Sequence, residues 1–346
     1  MSIPPSKSLR VVAIGGGTGL STLLRGLKRF VPTPHGTQPH SDSRCQDAAC
    51  VIHDLAAVVT VTDDGGSSGR LREDLKILPP GDIRNCIVAL SEDEHLLAKL
   101  FQFRFAQGDL QGHSFGNLFV AALTHITGDF AQAVQMSSQI LAARGHIYPA
   151  TNTNVTLTAL MDDGSTVHGE TNITASKKHI AELMLEPPTA PPLPETLDAI
   201  AKADLITIGP GSLYTSLITN LLVHGIPEAL AASRAIRVYI CNLMTQANES
   251  LGLTASQHIE KILAHTNGAR IFDYALINTA PISPALLERY AREGQIPIQA
   301  DLDRIRALGV TPITGDFVHE GNLLRHDHDR VTDALLQLAS ARPGAE

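Results

Sequence analysis

Four clusters of residues in this chain suit an anion or a polar ligand, and each follows a short apolar run. The first is Gly15-Gly16-Gly17-Thr18-Gly19. Glycines without Cβ let a backbone approach phosphate closely, and the N–H groups at a helix start, with the dipole behind them, favour an anion. Glycines can also simply make a tight strand-to-helix turn; three of them ahead of Thr18-Gly19, between an apolar run and a helical pattern, favour phosphate. The loop is not of the Walker type, since the nearest lysine, Lys28, lies well into the helix. Nor is it a strict GxGxxG, because position 20 is Leu20.

The second cluster is Asp63-Asp64, followed by Gly65-Gly66-Ser67-Ser68-Gly69 and then Arg70 and Arg72. An acid at the carboxyl end of a strand can accept from a ribose hydroxyl. Two adjacent carboxylates could instead hold Mg²⁺ beside phosphates, and Asp and Gly are also ordinary turn residues. The third is Gly209-Pro210-Gly211-Ser212-Leu213-Tyr214-Thr215-Ser216, which offers hydroxyls and N–H groups at another helix start. The fourth, Cys241-Asn242-Leu243-Met244-Thr245-Gln246, has Asn, Thr and Gln side chains suited to a sugar or a base edge.

Other candidates are weaker. Cys45-x4-Cys50-x2-His53 invites zinc, but structural zinc sites pair close cysteines with a second pair that is missing nearby. His326-Asp327-His328-Asp329 reads as a solvated turn and helix cap. Asp, Ser and His near the loops do not by themselves define a triad.

The elements that must position these residues alternate. Leu9–Ile14 reads as a strand, and Leu20, Leu23, Leu24 and Leu27 recur at helical spacing behind it. Segment 31–54 is rich in proline and polar residues and reads as an irregular insertion. Leu55–Val61 is a second strand, with a Gly/Ser loop over Asp63–Gly69. Asp82 is expected to cap a helix over Ile83–Leu90, and Asp129 one over Phe130–Arg144. Between them, Gly112–Asn117 opens a helix to about Ile126. Residues 155–174 read as a β-hairpin turning at Asp162-Asp163-Gly164-Ser165, and 186–194, with five prolines, as a surface linker. Strands at Leu205–Ile208, Ile236–Cys241 and Tyr274–Asn278 then alternate with helices to about Val223, from Ala255 to His265 and from Pro284 to Arg292. This rhythm predicts an α/β fold: a Rossmann-like, doubly wound, mainly parallel sheet with a small hairpin-containing subregion. One domain is expected over 9–340, interrupted by the 31–54 insertion and a hairpin and proline-rich subregion at about 145–200. All four clusters fall at carboxyl ends of strands, where open α/β sheets bind ligands.

Composition narrows the function. With 346 residues, 43% hydrophobic and 18% charged, the chain suits a folded globular protein whose core, lacking Trp, is aliphatic. A net charge of −8 argues against a nucleic-acid partner. No run of about 18 apolar residues is present to span a membrane, and the start of the chain does not read as a signal peptide. Four scattered cysteines do not make a disulfide framework, so a reducing cytoplasm is expected.

Taken in order, GGGTGLSTLLRGLK, TVTDDGGSSGRLR, GDIRNCIVAL, GHSFGNLF, GPGSLYTS and CNLMTQ resemble the bacterial gluconeogenesis factor family, of the YvcK/GlmR type, within the 2-phospho-L-lactate transferase superfamily. The resemblance runs from about Val11 to Arg325. It implies a Rossmann-like core that binds UDP-sugars such as UDP-N-acetylglucosamine, and a regulatory role in cell-envelope precursor supply and cell shape on gluconeogenic carbon. The ligand-binding residues carried by these motifs are Gly15, Gly16, Gly17, Thr18, Gly19, Leu20, Asp63, Asp64, Gly65, Ser67, Ser68, Asn85, His113, Asn117, Gly209, Gly211, Ser212, Tyr214, Asn242 and Gln246. Tyr290 and Arg325 are added as groups closing the site from the C-terminal side, by stacking and by a forked phosphate contact.

The related transferase uses Mg²⁺ and a nucleotide diphosphate-activated donor. Here Leu20-Ser21-Thr22 stands where that enzyme has a lysine near its glycines, and the acidic motif reads Val61-Thr62-Asp63-Asp64. Transfer chemistry is therefore the alternative, with Asp63 and Asp64 as the Mg²⁺ ligands, and no cofactor is required by the leading reading. NAD is admitted as a non-catalytic occupant of the nucleotide site. An amino-sugar biosynthetic enzyme is the protein partner the resemblance suggests, and a homo-oligomer is expected.

Overall fold

A computed structural model describes residues 8–33, 51–91 and 96–341. Cys45 and Cys50, and most of the 31–54 segment, lie outside these residues; His53 is exposed on the second strand.

Seven parallel strands make the central sheet. In chain order they are β1 (Leu9–Gly15), β2 (Ile52–Val59), β3 (His146–Pro149), then, after three strands of a side sheet, β7 (Leu205–Ile208), β8 (Ile236–Ile240), β9 (Tyr274–Asn278) and β10 (Thr311–Gly315). Their spatial order is β10-β9-β8-β7-β1-β2-β3. The chain thus winds outward from β1 to one edge, returns to the other flank of β1, and winds outward again. Val12 pairs with Ala56 of β2 on one side and with Ile206 of β7 on the other. That reversal between β1 and β7 is the switch point at which open α/β sheets form a crevice. The strands are short and apolar because helices cover both faces; Ala13, Ile14, Ala57, Val58, Leu205 and Ile208 are wholly inaccessible. The doubly wound parallel sheet expected from the β/α rhythm is the one observed.

Several local expectations are corrected. Asp63–Gly69 is not a long loop: a helix begins at Gly66 and runs to Leu75. Gly69 N–H donates to Gly65 O at 3.0 Å, and a Cβ on Gly69 would meet Asp64 O at 2.0 Å. These glycines therefore let a helix fold tightly back on the strand exit. Asp82 does not cap its helix, which spans Gly81–Leu90 behind Pro80. Asp129 does cap, accepting from Gln132 N at 2.7 Å, but its helix stops at Ile140.

The hairpin is β4 (Thr156–Met161) with β5 (Thr166–His168), and β6 (Ile180–Glu186) adds an unexpected third antiparallel strand beside β4. Residues Glu170–Ala175, read as strand, form a short helix. The helix after Gly209–Ser212 starts as a π-helical turn, Leu213–Ile218. Near the C-terminus, β11 (Val318–Glu320) and β12 (Leu324–His326) form a ribbon, and Asp327 caps the helix His328–Ser340. No helix among the described residues is long and apolar enough to cross a membrane.

Candidate functional site

The carboxyl ends of β1 and β7 face each other across a cleft of about 340 Å³. One wall is Gly16, Gly17, Thr18 and Gly19 at the start of helix Gly17–Lys28; the other is Pro210, Gly211, Ser212 and Ser216. Asn242–Gln246 forms an end, and Tyr290, Gln295, Leu324, Arg325 and His326 close the C-terminal side. The walls touch: a Cβ on Gly19 would meet Pro210 O at 2.4 Å. Gly17 has φ +61°, the left-handed region glycine occupies freely. The first-turn N–H groups of Thr18 and Gly19 have no intrahelical acceptor, as at every helix start, and Thr18 is exposed.

Ten of the residues singled out in the sequence therefore share one cavity: Gly16, Gly17, Thr18, Gly19, Gly211, Ser212, Asn242, Gln246, Tyr290 and Arg325. Gln246 Nε2 donates to Ser212 Oγ at 3.0 Å, and Asn242 Nδ2 to Gln246 Oε1 at 3.3 Å, joining two of the loops. The Tyr290 hydroxyl accepts Leu324 N–H at 3.1 Å and pins β12 with Arg325 against the cleft. Gly15 and Gly209 stand immediately behind the walls, and Gly209, at φ +92°, approaches Ile240 O within 2.9 Å of a notional Cβ. Leu20 is a core residue with no exposed surface. Tyr214 is 1% exposed and donates its hydroxyl to Ile180 O at 3.3 Å, so it packs away from the cleft.

The expectation that the 209–216 loop offers a second anion site meets an internal occupant. Glu249 accepts Tyr214 N–H at 3.2 Å and Thr215 Oγ1–H at 3.0 Å. Burial pushes its carboxyl up, against the hydrogen bonds from Thr215 and Tyr214. That helix start is thus filled by the protein's own carboxylate.

Asp63, Asp64, Gly65, Ser67, Ser68, Asn85, His113 and Asn117 form a second group beyond β2, outside the cleft lining. Ser67 Oγ meets His113 Nδ1 at 3.1 Å and accepts from Asn117 Nδ2 at 3.2 Å. Burial, with Arg70 adding, lowers the His113 pKa and favours the neutral ring. The spacing Gly65-x-Ser67-x-Gly69 matches a hydrolase nucleophile turn, but Ser67 is 3% exposed and held from two sides. Asn85 Oδ1 accepts from Arg84 at 2.7 Å.

The acidic pair diverges. Asp64 Oδ1 accepts Thr171 N–H at 2.8 Å and Thr171 Oγ1–H at 2.6 Å, anchoring the Glu170 helix, while Asp63 Oδ1 turns back onto Gly65 N–H at 2.9 Å. The two carboxylates serve different elements, each through one of its two oxygens. A group of acids unrecognised in the sequence adjoins them. Asp82 Oδ2 accepts Gly17 N–H at 2.7 Å from behind the glycine wall. Burial, then Asp63, lifts this carboxyl to about 6 against the pull of Gly17 N–H and Arg84. Glu170, under the same burial and facing Asp63 and Asp82, is pushed well above the carboxylate range. The only local signal for Asp82 was its place in GDIRN, where a cap explains an aspartate equally well.

The fold and site together define a doubly wound α/β protein with a glycine-walled cleft at its switch point. The chain belongs to the gluconeogenesis factor branch of the 2-phospho-L-lactate transferase CofD family, which matches residues 11–318. It is 48% identical over 333 residues to the gluconeogenesis factor of Halalkalibacterium halodurans, covering 96% of this chain and 97% of that one. Its identity to the Bacillus subtilis gluconeogenesis factor is 45% over 331 residues, covering 95% and 98%. A crystal structure of a Bacillus halodurans protein superposes with a TM-score of 0.88 at 48% identity, over 95% of this chain and 100% of that chain.

Proposed function

We propose that the protein is a regulatory binding protein for a UDP-sugar of the UDP-N-acetylglucosamine kind, acting as a gluconeogenesis factor in the supply of cell-envelope precursors and the maintenance of cell shape, in the cytoplasm. The observation that carries this reading is the cleft at the switch point, which assembles a helix start, hydroxyl and amide side chains and an arginine from five separated stretches of chain. The open N–H groups of Thr18 and Gly19 and the Arg325 guanidinium suit a diphosphate. Asn242, Ser212 and Gln246 suit hydroxyls of the sugar or ribose. Among the described residues, the histidine that lines the cleft, His326, gives its Nε2 to Cys241 O and not to a hydroxyl of the lining, which favours binding over chemistry. Calorimetry with UDP-N-acetylglucosamine tests it: saturable binding is expected, and its absence at millimolar ligand removes the reading.

The family description favours a second reading, transfer from a nucleotide diphosphate-activated donor. For such a step Asp63 and Asp64 would offer Mg²⁺ the oxygens that their bonds to Gly65 and Thr171 leave over. Product formation above a buffer control, lost in Asp63→Asn, would restore this reading.

A further inference from the structure

Asp82 touches the glycine wall without being among the residues that line the cleft. Its Oδ2 accepts Gly17 N–H at 2.7 Å, and a Cβ on Gly16 would come within 2.8 Å of the same oxygen and 2.7 Å of Thr60 Cγ2. Gly16 and Gly17 themselves line the cavity. An anion in the cleft and the Asp82 carboxylate are therefore separated by a single peptide wall at the positive end of one helix. We propose that the cleft takes up a diphosphate diester together with a proton, and that Asp82 is the group that holds the proton. The proposal rests on the nucleotide-sugar reading for its ligand class.

The surroundings of Asp82 leave its charge poorly compensated. From the β2 exit it faces Asp63, and from the Glu170–Ala175 helix Glu170, both acids. On its own helix it faces Arg84 and the Cys86 thiol, which burial keeps protonated. Arg84 is a cation, but its guanidinium donates to Ser114 Oγ and Asn85 Oδ1, both at 2.7 Å, and makes no ion pair with Asp82 among the described residues. The free site already favours a proton to about pH 6. A fixed negative charge across the wall opposes ionisation further and raises that pKa in the complex. Linkage then sets the direction: affinity rises as pH falls through the complex's pKa and levels off below about 6, with a slope of at most roughly tenfold per pH unit, the limit for one proton. The protonated carboxyl can still accept Gly17 N–H, so the loop keeps its shape.

A diphosphate diester does not titrate near neutrality, so any slope belongs to the protein. The test is calorimetry of UDP-N-acetylglucosamine, and of NAD as a diester without the sugar, from pH 5.5 to 8 in buffers of different ionisation enthalpy. Wild-type protein should bind several-fold more tightly at pH 6 than at pH 8 with net proton uptake; Asp82→Asn should lose both slope and uptake, while Glu249→Gln keeps them. A pH-independent wild type, a slope surviving in Asp82→Asn, or no binding of either diester at any pH overturns the proposal. NAD binding with the slope while UDP-N-acetylglucosamine fails would refute the sugar and leave the proton linkage standing. Should Asp82→Asn not fold, His326→Gln decides by removing the titratable imidazole of the cleft: the slope and uptake should persist in it, and their loss there overturns the proposal.

Discussion

Asn220 stitches the two halves of the sheet together at the site: its Nδ2 donates to Gly15 O at 2.9 Å, at the end of β1, and to Ser216 O at 2.7 Å in the π-helical turn beyond β7. The residue has no exposed surface. Gly15 O keeps Thr60 N–H at 3.1 Å, but removing the amide takes both buried bonds away and unties the two segments, which costs about 1–3 kcal/mol. Asn220→Ala should lower unfolding stability by that amount in denaturant melts. A variant as stable as wild type would show that the π-helical turn holds the glycine loop without it.

Gly19 and Gly17 are glycine for different reasons, and their alanine variants should rank accordingly. At Gly19 a Cβ would meet the Pro210 carbonyl at 2.4 Å, so Ala forces the cleft walls apart and costs about 1–3 kcal/mol, as overpacking does. At Gly17 the nearest atom is Ser216 Oγ at 3.9 Å, and only φ +61° opposes a side chain, about 1–2 kcal/mol. Gly19→Ala should also weaken UDP-N-acetylglucosamine binding the more of the two, because it moves backbone on both sides of the cleft. The reverse order in calorimetry would contradict this assignment of the walls.

Arg325 and Tyr290 should separate by assay. Arg325 is exposed on the cleft rim, and Arg325→Ala is expected to cost about 1.5–3 kcal/mol of binding, ten- to a hundredfold, with an unchanged melting temperature. Tyr290→Phe removes the acceptor for Leu324 N–H and should reduce stability by about 1 kcal/mol. Wild-type affinity in folded Arg325→Ala would take the β12 ribbon out of the site.

His326 should leave a signature in the acid range. Its half-buried ring donates from Nε2 to Cys241 O at 3.0 Å, and burial lowers its pKa from 6.5 to about 4 despite that bond. The unfolded chain takes up a proton at 6.5 that the folded protein refuses. Stability from this residue is complete above about pH 6.5 and is lost as pH falls from there toward 4. Asp82 acts oppositely, since its raised carboxyl favours the folded state below about 6, so the wild-type curve alone mixes the two. The difference between wild type and His326→Gln in melts from pH 4 to 8 isolates the histidine; a constant difference would rule out its titration.

What the sequence by itself determined is periodic and local. Short apolar runs followed by glycines and helical leucine spacing specify β1, its helix and the parallel class, because strands covered on both faces are apolar throughout. The stretches beginning at Gly15, Gly209 and Asn242 were likewise legible, since ligand loops at strand ends carry glycine, hydroxyl and amide residues. The tertiary structure alone decided which side each residue faces and what already occupies it. Asp82 read as a cap because its partner Gly17 lies 65 positions away, and no local pattern encodes that contact. Glu249 filled the second helix start, and Asp64 was drawn off to Thr171, for the same reason: a carboxylate goes to whichever unpaired N–H the fold brings near it. Gly16 and Gly19, which sequence logic aims at a ligand, are also required by Thr60, Asp82 and Pro210 packed against them, a close approach that exists only once β1, β2 and β7 lie side by side.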